Sequence, residues 1–256
     1  MTIAPPDDGA VFSPATVTTV DVLAPEVRRI VLQPATPLFY HPGQFLNLRR
    51  SDGVVRSYSI ASVPRLLEPI ELHIERQPGG RFSSWVFESL CAGEVVDFQG
   101  PNGSCFYVPG RPDTPMLLVG TGTGLAPLIG IARDALHDGH RGPIHLYHGS
   151  RSSAGLYLRD WLSREADRHS NLHYVPCLSG KTAANGCRAG RADDNALADF
   201  PDLTDWRVYL CGYPPMVHGM REKAYLAGAS LGDIYADAFE LKALERGAVG
   251  ELRRTG

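Results

Sequence analysis

From residue 11 to residue 111, apolar and polar positions alternate in short runs. The runs fall at 15–22, 27–32, 45–48, 57–60, 70–74 and 95–98. A period of two sends successive side chains to opposite faces, so each run reads as a strand. Pro and Gly punctuate them, at Pro25, Pro34, Pro37, Pro42-Gly43, Pro64, Pro78-Gly79-Gly80 and Gly100-Pro101-Asn102-Gly103. Many short strands between turn signals predict an antiparallel closed barrel or a sandwich. One helix is predicted among them, over 83–90.

Beyond Pro109-Gly110-Arg111-Pro112 the period changes. Strand candidates at 116–119, 144–148, 172–177 and 208–211 alternate with helical stretches at 126–136, 157–169 and 216–227. That alternation predicts an α/β doubly wound parallel sheet with covering helices. Residues 234–239 are expected to close one sheet edge. The organisation read from this is an all-β domain over 11–111, an α/β domain over 112–240 and a mobile tail over 241–256.

The densest chemical signal lies at 116–136. Apolar Met116-Leu117-Leu118-Val119 leads into Gly120-Thr121-Gly122-Thr123-Gly124. Then Leu125, Leu128, Ile129 and Ala132 recur at helical spacing. Strand, glycine loop and helix in that order present bare N–H groups at a helix N-terminus, which suits a phosphate. The spacing is neither G-x-G-x-x-G nor a P-loop, and a plain structural glycine turn would read the same way.

Ligands of a doubly wound sheet bind beyond the carboxyl ends of its strands. His148-Gly149-Ser150-Arg151 and Cys211-Gly212-Tyr213-Pro214-Pro215-Met216 also fall there. Ser150 and Arg151 stand where an acid would read a ribose 2′-hydroxyl. Arg151 suits a 2′-phosphate or adenine stacking, or is a solvated surface arginine. Cys211 reads as cleft-facing or as a small buried residue. A covalent role would need a neighbouring base, for which His218 is the near candidate.

In the β region, alternation puts Arg56, Tyr58 and Ile60 on one face and Ser57 and Ser59 on the other. A charge beside an aromatic ring and hydroxyls suits a flat, phosphorylated ligand. Pro78-Gly79-Gly80-Arg81-Phe82-Ser83-Ser84-Trp85 opens the predicted helix, with Ser83 or Ser84 as its cap, and is a second anion-type helix start.

Composition narrows the classes. The chain is 43% hydrophobic and 21% charged, ordinary for a globular protein with a real core. A net charge of −3 makes no case for nucleic acid or an anionic membrane. No apolar run nears the roughly 20 residues of a membrane helix. The acidic, Pro-rich start MTIAPPDDGAVFS does not read as a signal peptide. Cys91, Cys105, Cys177, Cys187 and Cys211 form no C-x-x-C pair, so neither a disulfide framework nor a metal site is expected. A reducing, cytoplasmic setting is expected instead.

Taken together, the motifs resemble the ferredoxin–NADP reductase superfamily over about residues 11–240 and in that family's order. Pro42-Gly43-Gln44-Phe45 is similar to its barrel signature, and Arg56-Ser57-Tyr58-Ser59 to its R-x-Y-S flavin motif. Gly80-Arg81-Phe82-Ser83 sits where the family binds flavin phosphates. Gly100-Pro101-Asn102-Gly103 resembles its G-P-x-G turn. The glycine loop with Ala126-Pro127 is similar to its nucleotide loop, and Cys211-Gly212 with Pro214 and Met216 to its C-G-x-P-x-M stretch. Gly149-Ser150-Arg151, Leu156-Tyr157, Leu178-Ser179 and Asp237-Ala238-Phe239 look most like reductase components of bacterial multicomponent oxygenases. The chain departs from many of these in lacking the C-x₄-C-x₂-C spacing of a plant-type [2Fe–2S] module. Any iron–sulfur acceptor is therefore expected on another protein.

The resemblance implies FAD, rather than FMN, lying against the barrel. Its implied contacts are Arg56, Ser57, Tyr58, Ser59, His73, Ile74, Gly80, Arg81, Phe82 and Ser83. Tyr58 would stack on the flavin ring and Ser59 would bond its edge. It implies NADH before NADPH on Gly122, Thr123, Gly124, Ser150, Arg151, Cys211, Gly212, Pro214 and Met216, with Phe239 near the cleft. Tyr58, Ser59 and Cys211 are the implied catalytic residues, Cys211 shaping the nicotinamide pocket. The implied activity moves a hydride from NAD(P)H onto flavin and passes electrons singly to a separate ferredoxin or oxygenase component. A free-standing NAD(P)H:flavin reductase and a non-catalytic electron-transfer or sensor subunit stay open as alternatives.

Overall fold

The computed structural model describes residues 11–64, 69–180 and 186–240, so the tail expected at 241–256 lies outside them. Alternation builds the first sheet. Strands β1 (Ser13–Ala24), β2 (Val27–Pro34), β3 (Phe45–Arg49), β4 (Val55–Ser59), β5 (Ile70–Glu75) and β6 (Val95–Asn102) pair antiparallel in the order β4-β3-β6-β1-β2-β5. The two ends of that order meet. Ile60 bridges Leu72, and the Ala61 N–H donates to the Glu71 carbonyl at 2.9 Å. The sheet thus closes into a barrel and leaves no free edge there. Val17, Ile30, Leu32, Leu46, Leu48, Leu72 and Ile74 form its core, and helix α1 (Arg81–Glu88) adds Phe82 and Val86.

The second sheet is parallel throughout. Strands β7 (Met116–Thr121), β8 (Ile144–Ser150), β9 (Leu172–Leu178), β10 (Arg188–Ala189), β11 (Arg207–Gly212) and β12 (Ile234–Ala238) lie in the order β10-β9-β8-β7-β11-β12. Helices α2 (Leu125–His137) and α3 (Arg159–Arg168) cover one face, against Met116, Leu118, Tyr209 and Cys211. Helices α4 (Ala192–Asp199) and α5 (Pro214–Leu226) cover the other, against Leu117, Val119, Val208 and Leu210. Strands buried on both faces read as unbroken apolar runs, as Met116-Leu117-Leu118-Val119 does. Strand order reverses between β7 and β11, the switch point where such sheets bind ligands.

The barrel docks on the α2 side. Val27, Cys105 and Tyr107 share the core under α2. Two glycines make the contact close. A Cβ at Gly130 of α2 would lie 3.0 Å from the Ile60 carbonyl oxygen and 3.1 Å from Pro42 Cβ. A Cβ at Gly43 would lie 2.4 Å from the Cys105 carbonyl oxygen. Pro42-Gly43 is therefore a docking element as well as part of the barrel.

Several elements differ from their sequence-based expectations. Helix α1 begins at Arg81, and Gly80 is its N-cap without any side-chain hydrogen bond. Neither Ser83 nor Ser84 caps it. Ser83 Oγ turns inward, accepting the Gln77 N–H at 3.0 Å and facing the Gly80 carbonyl at 3.2 Å. The helix expected from residue 157 starts at Arg159, because Leu158 adopts a left-handed φ of 57°. Gly100-Pro101-Asn102, expected as a turn, lies inside β6, where Asn102 pairs with Phe45. Strand β10 and helix α4 went unpredicted. The first is only two residues long, and Ala192-Asp193-Asp194-Asn195 gives the second little apolar stripe.

Candidate cofactor sites

The glycine loop sits at the switch point, and its three glycines do different work. A Cβ at Gly120 would meet Leu128 Cδ1 at 2.6 Å, and one at Gly124 the Cys211 carbonyl oxygen at 2.3 Å. These two let strand, loop and helix pack. Gly122 alone has a positive φ, +55°, and it faces the barrel. A Cβ there would lie 3.1 Å from Glu75 Oε2. The Thr123 hydroxyl donates to the same oxygen at 3.4 Å, and the Thr123 backbone N–H also bonds this carboxylate. The anion position at the start of α2 is thus held by a carboxylate from β5. Burial raises the Glu75 carboxyl above its ordinary range; the Thr123 bonds oppose this and the charge of Glu26 adds to it. Sequence reasoning missed Glu75. Its signal was the polar face Glu71, His73, Glu75, alternating on β5 with core Leu72 and Ile74.

The register brings the other predicted nucleotide residues to the same end of the sheet. Thr121 pairs with Gly149, Cys211 with Gly120, and Ser150 with Leu178. The Tyr213 N–H donates to Thr121 Oγ1 at 3.0 Å, tying the ends of β7 and β11 together. Phe239 is brought there as well, its N–H donating to the Gly212 carbonyl at 2.8 Å. Pro214 begins α5. Arg151 is exposed. Met216, in contrast, is buried in the core beneath α5, so its side chain does not face this end.

Of the two readings of Cys211, cleft-facing and buried, the structure has the buried one: its side chain is 0% exposed and shares the parity of Tyr209, toward the α2 core. Its Sγ lies 3.7 Å from that of Cys105. Burial, with Cys105 beside it, holds the thiol well above its ordinary range. His218 is exposed on α5. A thiol so buried is no nucleophile at neutral pH.

On the barrel, Tyr58 is half-buried, its ring 5.4 Å from that of Phe82. Burial pushes its hydroxyl pKa up. Arg56 stands two residues before it on β4, one guanidinium N–H donating to the Val55 carbonyl at 2.7 Å. At the start of α1, Arg50 and Arg81 both bond Asp52, at 2.6 and 2.5 Å, and Arg50 also donates to the Arg81 carbonyl at 3.0 Å. Arg50 was not predicted. Ser59 is buried, while Ser57 is exposed and donates to Asn47 Oδ1 at 2.6 Å. The side chains of Ile74 and Phe82 belong to the barrel core.

His73 joins the two halves instead of facing open space. Its Nε2 lies 2.8 Å from Glu71 Oε1 and its Nδ1 3.1 Å from the Tyr157 hydroxyl. With Nε2–H donating to the carboxylate, Nδ1 accepts the tyrosine proton. Burial works against the Glu71 charge, but the His73 bond holds its carboxyl below the ordinary range.

The donor chemistry of each site suits a nucleotide. An uncapped helix start between Arg50 and Arg81, beside Arg56 and the Tyr58 ring, fits a ring-bearing phosphorylated group. Just ahead of α2, the Thr123 hydroxyl and N–H both bond the Glu75 carboxyl group, so the loop's donors already face one acidic side chain. Among the described residues no helix is long and apolar enough to cross a membrane.

Comparison with known proteins assigns each half to a domain family. The oxidoreductase FAD-binding domain matches residues 14–107, and the oxidoreductase NAD-binding domain matches residues 118–222. The chain is 39% identical over 240 residues to the ferredoxin–NAD(P)+ reductase component of the naphthalene 1,2-dioxygenase/salicylate 5-hydroxylase systems of Ralstonia sp., covering 92% of this chain and 73% of that one. It is 38% identical over 224 residues to the corresponding naphthalene 1,2-dioxygenase component of Pseudomonas putida, covering 88% and 68%. The crystal structure of the Amycolatopsis cytochrome P450 reductase GcoB superposes with a TM-score of 0.83 at 36% identity, covering 89% of this chain and 69% of that one. The chain therefore belongs to the ferredoxin–NAD(P)+ reductase family, as an oxidoreductase with an FAD-binding and an NAD-binding domain.

Proposed function

We propose that this protein takes reducing equivalents from NAD(P)H and delivers electrons singly to a separate ferredoxin or oxygenase component. One observation carries the reading. Strand β5 touches the glycine loop through Glu75 and then leads through Pro78-Gly79-Gly80 into the uncapped start of α1. A single strand thus links the nucleotide-suited end of the sheet to the flavin-suited face of the barrel. The names of the relatives, reductase components of dioxygenase systems and a cytochrome P450 reductase, support the acceptor class.

Residues 11–111 form the FAD-binding unit in this reading, and 112–240 the NAD(P)H-binding unit. Arg56, Arg81 and the first-turn N–H groups of α1 hold the FAD phosphates. Tyr58 offers its ring face, and Ser59 hydrogen-bonds the flavin edge. Gly122, Thr123 and the start of α2 hold the pyrophosphate of NAD(P)H, with Gly212 and Phe239 bordering its nicotinamide end. When bound, FAD supplies the conversion of two-electron into one-electron chemistry. The chain's own part is orientation: the Glu71–His73–Tyr157 bridge and the Gly43–Gly130 approach hold the two units in one alignment. All five cysteines are free, which supports a reducing, cytoplasmic setting.

The test is NADH-dependent reduction of a plant-type [2Fe–2S] ferredoxin by the FAD-loaded protein. Catalytic reduction of the ferredoxin is expected. Turnover with free flavin and none with the ferredoxin would contradict the proposal. The same assay with Arg151→Ala separates the nucleotides. If Arg151 reads the 2′-phosphate, the NADPH KM rises about tenfold while that for NADH stays put. Equal values in both forms would remove Arg151 from that role.

A further inference from the structure

We propose that Glu75 sets nucleotide affinity at the glycine loop, as a built-in anion occupying the donors that a nucleotide pyrophosphate would use. The inference rests on the nucleotide reading of that loop. Its basis is geometric. The carboxylate comes from the barrel, yet it lies against Gly122 and accepts both the hydroxyl and the backbone N–H of Thr123. Those are the donors at the entry to α2. Two anions do not share one helix start without repulsion, least of all in a partly buried site. A bound pyrophosphate therefore either displaces the Glu75 side chain or meets it protonated.

Burial and a neighbouring acid both oppose the Glu75 charge. The groups facing Glu75 are Glu26, from the turn between β1 and β2, Tyr157, ahead of α3, and the Thr123 hydroxyl. On β5 itself, His73 is engaged by Glu71 and Tyr157. Burial and Glu26 already raise its carboxyl, and a nearby pyrophosphate raises it further. Nucleotide binding then takes up a proton. The sign follows from linkage: a group whose pKa is higher in the complex makes binding weaken as pH rises through its free-protein titration. Below that range the affinity levels off.

The experiment is calorimetric titration of NAD+ into the FAD-loaded protein from about pH 6 to about pH 8, in buffers of differing ionisation enthalpy. The wild type should bind more weakly as pH rises and should take up protons on binding. Glu75→Gln should bind about tenfold tighter at the alkaline end of the series, with the gap narrowing toward the acidic end and the proton uptake gone. A wild type that binds without proton uptake, or a Glu75→Gln protein that binds no more tightly, would overturn the inference while leaving the nucleotide reading in place. Weaker binding by Glu75→Gln would assign the carboxylate to a sugar hydroxyl instead. A wild type that binds no NAD+ at any pH would overturn both. The wild-type pH series and proton count stand even if the variant fails to fold.

Discussion

Gly124→Ala is expected to cost about 3 kcal/mol of stability and to abolish NAD+ binding, the upper end of what one added methyl does in a packed interior. The added Cβ would lie 2.3 Å from the Cys211 carbonyl oxygen, 2.5 Å from its carbon and 2.7 Å from Gly212 Cα. All three are backbone atoms, so no flexible side chain can yield. Relief requires the end of β11 to separate from the glycine loop. That separation also moves Gly122 and Thr123, the donors assigned to the nucleotide. Gly219→Ala is the control. A Cβ at Gly219 on α5 meets nothing within 4 Å, so alanine there should be neutral or gain up to about 1 kcal/mol from helix propensity. Urea unfolding of both variants checks the pair. Equal stabilities would show that the loop and β11 are not locked together.

Phe82→Ala should be as severe for the flavin side. Phe82 is 1% exposed in the barrel core, with the Tyr58 ring at 5.4 Å and the Trp85 ring at 5.3 Å. Removing a buried phenylalanine costs about 3–5 kcal/mol. Here the cavity opens under the first turn of α1 and behind Tyr58 at once. The variant is therefore expected to lose FAD during gel filtration while Gly219→Ala, on α5 with nothing within 4 Å of the added Cβ, retains it. Thermal unfolding with and without added FAD separates the two effects. A Phe82→Ala protein that is destabilised yet keeps its FAD would show that Tyr58 and α1 do not depend on this packing for binding.

Much of this architecture is written in local pattern. Alternation marks the barrel strands because one face of each is core. Unbroken apolar runs mark the parallel strands because both faces are. The glycine loop, Ser150-Arg151 and Cys211-Gly212 were legible as strand ends, and the parallel register brings all three to one end of the sheet. What was not legible depends on partners distant in sequence. Cys211 reads as cleft-facing or buried from its own neighbours, and its Cys105 contact from the other half goes with the buried reading. Glu75 looks like a solvated strand residue until Thr123 is placed against it. The bond between the His73 ring and Tyr157 of the other half is likewise invisible from β5 alone. Arg50 gains meaning only through the Asp52–Arg81 cluster at α1. Helix α4 was hidden for a different reason: Asp193, Asp194 and Asn195 interrupt the apolar stripe by which short helices are recognised.

The central claim, that hydride from NAD(P)H enters through a flavin held by this chain, is tested most directly by an absorbance spectrum. The FAD-loaded protein is recorded before and after anaerobic addition of NADH. Flavin bands that stay with the protein and bleach on NADH are the expected result. A protein that takes up no FAD, or whose bound FAD stays oxidised with both NADH and NADPH, would contradict it.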